Sequence, residues 1–194
     1  EQALTVLGKG VAGGPVRTDD PDLVRSVSRL VQSGTPGQKL SQLTITLVKP
    51  VGMGERVCVD TCSLMTDGEG MLVGNTSSGF FLVHAETLEN PYVAPRPFRV
   101  NAGGVHAYLQ VPGGKTAYLA DLKAGDRVMI VHGDGSGREA TVGRVKIERR
   151  PLFLVEAESE GQKVSVILQN AETIRLVRPD NTAVSVTSLK PGDI

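Results

Sequence analysis

At 194 residues the chain can bury one large core, or one domain with part of another, because the buried fraction rises with length. Lys and Arg together number 21, as do Asp and Glu, so no global field draws the protein to nucleic acid or an anionic membrane; with 4% aromatics and no tryptophan it offers no platform for stacking bases. No apolar run approaches the roughly 20 residues of a bilayer span, and EQALTVLGKG lacks the order of a secretory signal. These features predict a cytoplasmic protein with a small-molecule partner and leave self-association into a homo-oligomer open. Cys58 and Cys62 are too few for a disulfide framework and are read as free, buried structural thiols.

Residues 1–34 read as one strand, a glycine-rich turn at Gly10–Gly14 and one helix. Asp19-Asp20-Pro21 opens a run in which Leu23, Val24, Val27, Leu30 and Val31 recur at helical spacing, closed by Gly34. One strand and one helix cannot bury both faces, so residues 1–38 are expected to be the C-terminal end of an α/β domain lying mostly upstream. The absence of an initial Met, and the stop at SLKPGDI where the similar DLKAGDRVMIV runs on into an apolar strand, extend the expectation of further residues to both ends.

From residue 39 to 194 the period becomes two. LTITLVKPV, RVCVDTC, GMLVGN, FFLVHAE, HAYLQV, RVMIV, EATVGRVKI, LFLVEAE, KVSVILQ, TIRLV and AVSVTSL are rich in β-branched residues and separated by Gly, Pro, Asp or Asn. The predicted fold is mainly β, a barrel or sandwich of about ten short strands, α+β when the N-terminal remnant is included. The phrase LK-x-GD at 122–126 and 189–193 suggests an internal repeat of one β unit, although a common strand-to-turn phrase would explain it equally.

Four strand ends hold polar groups that a core does not want. In CVDTC an extended chain puts Cys58, Asp60 and Cys62 on one face, near Glu69, but no second cysteine pair exists to complete a zinc site. Between Phe81 and Tyr108 lie His84 and Glu86 on one strand face, Arg96 and Arg99 around a proline, then Asn101 and His106. Paired guanidiniums capture carboxylate or phosphate, and histidine trades protons near neutral pH; solvated arginines and satisfied histidines are the plain alternative. In VGRVKIERRP, Arg144, Lys146, Glu148 and Arg150 alternate onto one face, either a charged outer surface or a base or imine former, Lys146, with its partner Glu148. Gln169, Asn170 and Glu172 follow an apolar strand and could hold hydroxyls or cap a turn. No dinucleotide fingerprint, phosphate-binding loop, hydrolase elbow or zincin motif is present. The residues alone reach an anion-handling pocket with histidines.

The strings VGMGERVCVDTCSLM, EGMLVG, FLVHAET, RPFRVNAG, VHAY, PGGKTAYL, VGRVKIERRPL and ILQNAETIRLV resemble the type II 3-dehydroquinate synthase family over nearly the whole chain. That resemblance implies NAD-dependent oxidation of the amine-bearing carbon of 2-amino-3,7-dideoxy-D-threo-hept-6-ulosonate, imine hydrolysis, and ring closure by an internal aldol step to 3-dehydroquinate. Under it, His84 and His106 would move protons, Lys146 with Glu148 would enolise the ketone, Arg96 and Arg99 would anchor the carboxylate, and Asn101, Gln169, Asn170 and Glu172 would hold the remaining polar groups. A sister branch, the 3-amino-4-hydroxybenzoate synthases, implies a divalent metal, Mn or Mg, with Asp60 and Glu86 among its ligands, alongside His84 and His106. A non-catalytic β scaffold is the remaining reading, favoured if these groups prove scattered. The expectation to be met is geometric: His84, Arg99, His106 and Glu148 should line one hollow.

Overall fold

A computed structural model describes residues 18–24, 37–91 and 93–194, and the chain divides into two units, Glu1–Gly34 and Thr35–Ile194. In the first unit residues 21–24 are helical. The Asp20 carboxylate accepts the Asp22 N–H at 2.9 Å and its carbonyl accepts the Val24 N–H at 3.1 Å, so Asp20 caps the helix and Pro21 takes the first helical position, where a missing N–H costs nothing. The predicted strand, the Gly10–Gly14 turn and the remainder of the predicted helix lie outside the described residues.

The second unit is mainly β. Its described residues form eleven strands: β1 (Thr44–Thr61), β2 (Glu69–Thr76), β3 (Gly79–His84), β4 (Arg99–Gly104), β5 (Tyr108–Val111), β6 (Lys115–Tyr118), β7 (Arg127–His132), β8 (Gly137–Ser159), β9 (Gln162–Gln169), β10 (Arg175–Val177) and β11 (Ala183–Ser185). The paired order is β11-β10-β3-β2-β7-β8-β1-β4, with β5 on β2 and β6, and β9 on β8; each pairing is antiparallel. The core is built from β-branched and other apolar residues of alternate positions, Val57 and Val59 of β1, Met71 and Val73 of β2, Val83 of β3, Val100 and Ala102 of β4, and Val128 and Ile130 of β7, all without solvent exposure.

Two strands are far longer than the expected short ones. LTITLVKPV and RVCVDTC fuse into β1, of 18 residues, while EATVGRVKI and LFLVEAE fuse into β8, of 23. The supposed breaks lie within one continuous ribbon: Pro50 faces Phe153, Pro151 faces Met53, and the register shifts at Val51 beside Gly52, whose φ is +90°. A bulge at a positive-φ glycine bends a ribbon without ending it, and the two prolines lie beside the bend.

The two LK-x-GD phrases make the same turn. In each, the aspartate carboxylate accepts the lysine N–H at 2.9 Å, the aspartate N–H donates to the lysine carbonyl at 3.1 Å, the leucine is buried, and the glycine has a φ of +94° or +96°. Each also docks on a long strand through the same reciprocal pair: Gly125 and Asp126 bond Val142, and Gly192 and Asp193 bond Ile45. The likeness extends to the hairpins before them, β5–β6 against β2 and β10–β11 against β3.

Strand β2 owes its close approach to β3 to glycine. A β-carbon on Gly70 would fall inside the Val83 carbonyl, which is backbone and cannot step aside. Gly70→Ala is expected to destabilise the protein by about 2–3 kcal/mol, read as a lower urea midpoint at unchanged slope.

Candidate active site

The register of β4–β1–β8 converts alternation in three sequence segments into one polar face. While Val57 and Val59 enter the core, Arg56, Cys58 and Asp60 project to the other side of β1. Residues directly opposite share a face, so Cys58 meets Asn101 of β4 and Lys146 of β8, Asp60 meets Arg99 and Arg144, and Arg56 meets Glu148. Strand β9 adds Gln169, whose carbonyl accepts Asn101 Nδ2 at 2.9 Å. Past the end of β3, Glu86 bridges Arg96 backbone to backbone, and their side chains pair at 3.2 Å.

Asp60 is the centre. Arg99 holds it in a fork, Nε to Oδ1 at 2.7 Å and Nη2 to Oδ2 at 2.9 Å, while Arg144 places Nε and Nη2 on Oδ2 at 2.8 and 2.6 Å. Burial alone would push this carboxyl up; the hydrogen bonds and charges of the two guanidiniums overcome it and hold its pKa below the ordinary value. Asp60 in turn holds the Arg99 pKa above its ordinary value. Glu148 is bonded by Lys146 at 3.2 Å, Arg150 at 3.3 Å and Arg56 at 2.8 Å; the Lys146 bond leads in keeping its carboxylate below the usual range. Cys58, with the Arg56 Nη1 against its sulfur, is pushed up to about 11 by burial and stays a neutral thiol. Six cationic side chains, Arg56, Arg96, Arg99, Arg144, Lys146 and Arg150, share this face with the three carboxylates of Asp60, Glu86 and Glu148, leaving a positive excess of three. Such an excess attracts anions.

The sequence-predicted residues divide. Asp60, Glu86, Arg96, Arg99, Asn101, Lys146, Glu148 and Gln169 converge, and His106 is seated against Gly104, the strand partner of Arg56: a β-carbon there would lie 2.8 Å from the His106 Cε1. Its ring is exposed, with Nε2 3.1 Å from Asn75 Oδ1. His84 stands apart. Its Nδ1 donates to the Ala85 carbonyl at 2.6 Å and its Nε2 accepts the Gly68 N–H at 3.0 Å, which fixes one neutral tautomer, and burial lowers its pKa. Asn170 continues the ladder by donating its N–H to Pro151, Glu172 is exposed on the next turn, and Glu69 pairs with Arg138. Cys62, expected to be buried on the Cys58 face, is exposed, because the register of β1 shifts at Thr61 and the strand ends there. The spacing R-V-C-V-D would have found Arg56, which the sequence reading passed over.

Asp60 does not fit a metal, since arginines bond both its oxygens; Glu86 gives one oxygen to Arg96, and no group of three or more His, Cys, Asp or Glu gathers among the described residues. Those residues also lack a glycine-rich turn opening a helix, so no NAD contact is assigned to them and no step below runs through it. A separate cavity of about 610 Å³ is lined by Leu43, Leu72, Phe80, Leu82, Leu176 and Arg178 among others, and by none of the residues of the polar face. No helix of the described residues is long and apolar enough to cross a membrane.

A mainly β domain thus carries a cationic, carboxylate-buttressed face on β4, β1 and β8. Residues 42–194 match the family model described as 3-dehydroquinate synthase II C-terminal domain, and the chain belongs to that family. It is 87% identical over its full length to a protein of Methanospirillum hungatei JF-1 named 3-dehydroquinate synthase, covering 59% of that protein. Proteins of the same name from Methanoculleus marisnigri and Methanoregula boonei are 63% and 62% identical over 98% and 100% of this chain, which spans 58% and 59% of theirs. The chain therefore spans less than two thirds of the curated relatives it matches.

Asp60→Asn removes the shared charge and leaves Arg99, 9% exposed, without its ion pair. A loss of about 3–5 kcal/mol in stability is expected near pH 7. Because the folded-state pKa of Asp60 is depressed, its contribution is complete above the unfolded carboxyl value of about 4 and fades as pH falls through the folded value. Urea midpoints of parent and variant should thus differ by a constant above about pH 5 and converge below about pH 4.

Proposed function

We propose that the protein makes 3-dehydroquinate by the route its family resemblance implies, NAD-dependent oxidative deamination of 2-amino-3,7-dideoxy-D-threo-hept-6-ulosonate followed by intramolecular aldol closure, in the cytoplasm. The observation that supports this is the polar face, where a positive excess and a Lys–Glu pair stand together. The relatives' shared name favours this branch, and the engagement of Asp60 and Glu86 by arginines gives the metal-dependent sister branch no comparable support.

In this reading the exposed cations Arg96 and Arg144 receive the substrate carboxylate. Arg99, buried and committed to Asp60, positions Arg144 and does not itself meet the ligand. Glu148, kept ionised by Lys146, takes the proton from the methyl carbon beside the ketone, and the Lys146 ammonium hydrogen-bonds the enolate oxygen that forms. The enolate carbon then bonds to the carbonyl carbon left by imine hydrolysis, and the resulting alkoxide takes up a proton. His106, exposed at the Arg56 end of the face, serves proton transfer, whereas His84 holds the Gly68 turn through its two backbone bonds.

The ring closure can be separated from the oxidation. Lys146→Ala and Glu148→Gln should each lower 3-dehydroquinate formation about a hundredfold or more, while absorbance at the NADH wavelength still rises on mixing with the amino-sugar acid. Full-rate 3-dehydroquinate formation by both variants would remove this pair from the chemistry.

A further inference from the structure

Two side-chain atoms on the polar face are buried and without a partner, Arg56 Nε and Asn101 Oδ1. Their residues are 5% and 4% exposed. The remainder of each polar group is engaged: Arg56 puts Nη1 on the Cys58 sulfur and Nη2 on Glu148, and Asn101 gives Nδ2 to Gln169. Both side chains are thus held while one donor and one acceptor stay unused. The two flank the same thiol, for Asn101 faces Cys58 across the β1–β4 ladder and Arg56 touches its sulfur from two residues away.

A buried donor or acceptor left unmet costs stability, and folds retain few of them. Here they are complementary. Arg56 already gives Nη2 to Glu148 at 2.8 Å, a carboxylate it shares with Lys146 and Arg150, so what stays unmet is one N–H donor and one amide oxygen. A carboxylate would be repelled by the Asn101 oxygen, and an ammonium by the Arg56 guanidinium. A group that both accepts and donates, without charge, satisfies the pair.

We infer that Arg56 Nε and Asn101 Oδ1 form a subsite for one uncharged hydroxyl of the ligand, which accepts from the guanidinium N–H and donates to the amide oxygen above the Cys58 thiol. The inference rests on the proposed function, in which a polyhydroxylated acid brings its carboxylate to the rim and its hydroxyls inward. It adds Arg56 as a binding residue and gives Asn101 a specific partner.

The test is calorimetric titration of 3-dehydroquinate and its singly deoxygenated analogues into the protein and into Asn101→Leu and Arg56→Lys, the latter keeping a cation beside Glu148. Each variant should bind 3-dehydroquinate about tenfold more weakly, and one deoxy analogue should bind parent and variants alike, as a double-mutant cycle requires. Without ligand, Asn101→Leu should melt no lower than the parent, because an unmet acceptor is removed and the half-buried Gln169 can turn to solvent. Unchanged affinity with a lower melting temperature would mean that a structural water completes these atoms, overturning the subsite and leaving the proposed function standing. If the parent itself binds no 3-dehydroquinate, both fall.

Discussion

One buried carboxylate holds two arginines from two different strands, and the geometry of the polar face follows from it. Asp60 is bonded by Arg99 of β4 on one side and Arg144 of β8 on the other, so three strands are tied at a single point. Ion pairs out of water are stabilising only when their hydrogen bonds are complete, and here four donors converge on two oxygens. Their value is in register. A slip of one residue in either ladder would send Arg99 or Arg144 to the opposite face and strand Asp60 without a partner, so the slipped pairing is strongly disfavoured. With register fixed, Cys58 must face Asn101 and Lys146, and Arg56 must face Glu148.

The ribbon that displays this face is fastened at both ends by the two copies of one turn. Because β1 and β8 run antiparallel, with Thr44 opposite Glu158 and Thr61 opposite Val142, the turn docked on Ile45 and the turn docked on Val142 grip opposite ends. Each turn depends on a glycine at positive φ and an aspartate that folds back on a lysine N–H, conformations open to glycine and aspartate for well-understood steric reasons. The polar cluster lies toward the Val142 end, where β4 flanks β1, and the bend at Gly52 separates it from the half of the ribbon that β9 covers.

Much of this was legible in the sequence. Period-two apolar segments announced a β domain, and alternation in CVD and in RVKIER put the right groups on the right faces. The length of β1 and β8 was not legible, since Pro50, Gly52 and Pro151 look like strand ends when read locally, and only the partner strand shows that they bend a continuous ladder. The fate of His84 was hidden because its partners are backbone groups of Gly68 and Ala85, which have no signature in the side-chain pattern. Arg56 gains its meaning only from Glu148, which faces it across the β1–β8 ladder, and Cys62 leaves the expected face because alternation cannot foresee the register shift that ends β1. The repeat could be suspected from five letters, but its weight comes from two hydrogen-bond patterns that match donor for donor.

Exposure distinguishes the two arginines that share Asp60. Arg99 is 9% exposed and bound to both oxygens, so its release would leave a charge in the interior; Arg144 is 62% exposed and bound to one oxygen, so it can turn part of its guanidinium to an arriving anion at little cost. The same gradient runs along β8, where Lys146 and Arg150 stand half in solvent around Glu148 while Arg56 reaches that carboxylate from below. A face built this way has a fixed floor and an adjustable cationic rim. Under the proposed function, the rim would meet an acid by its charge before the buried donor and acceptor meet its hydroxyl, so that attraction at long range and discrimination at contact would fall to different residues.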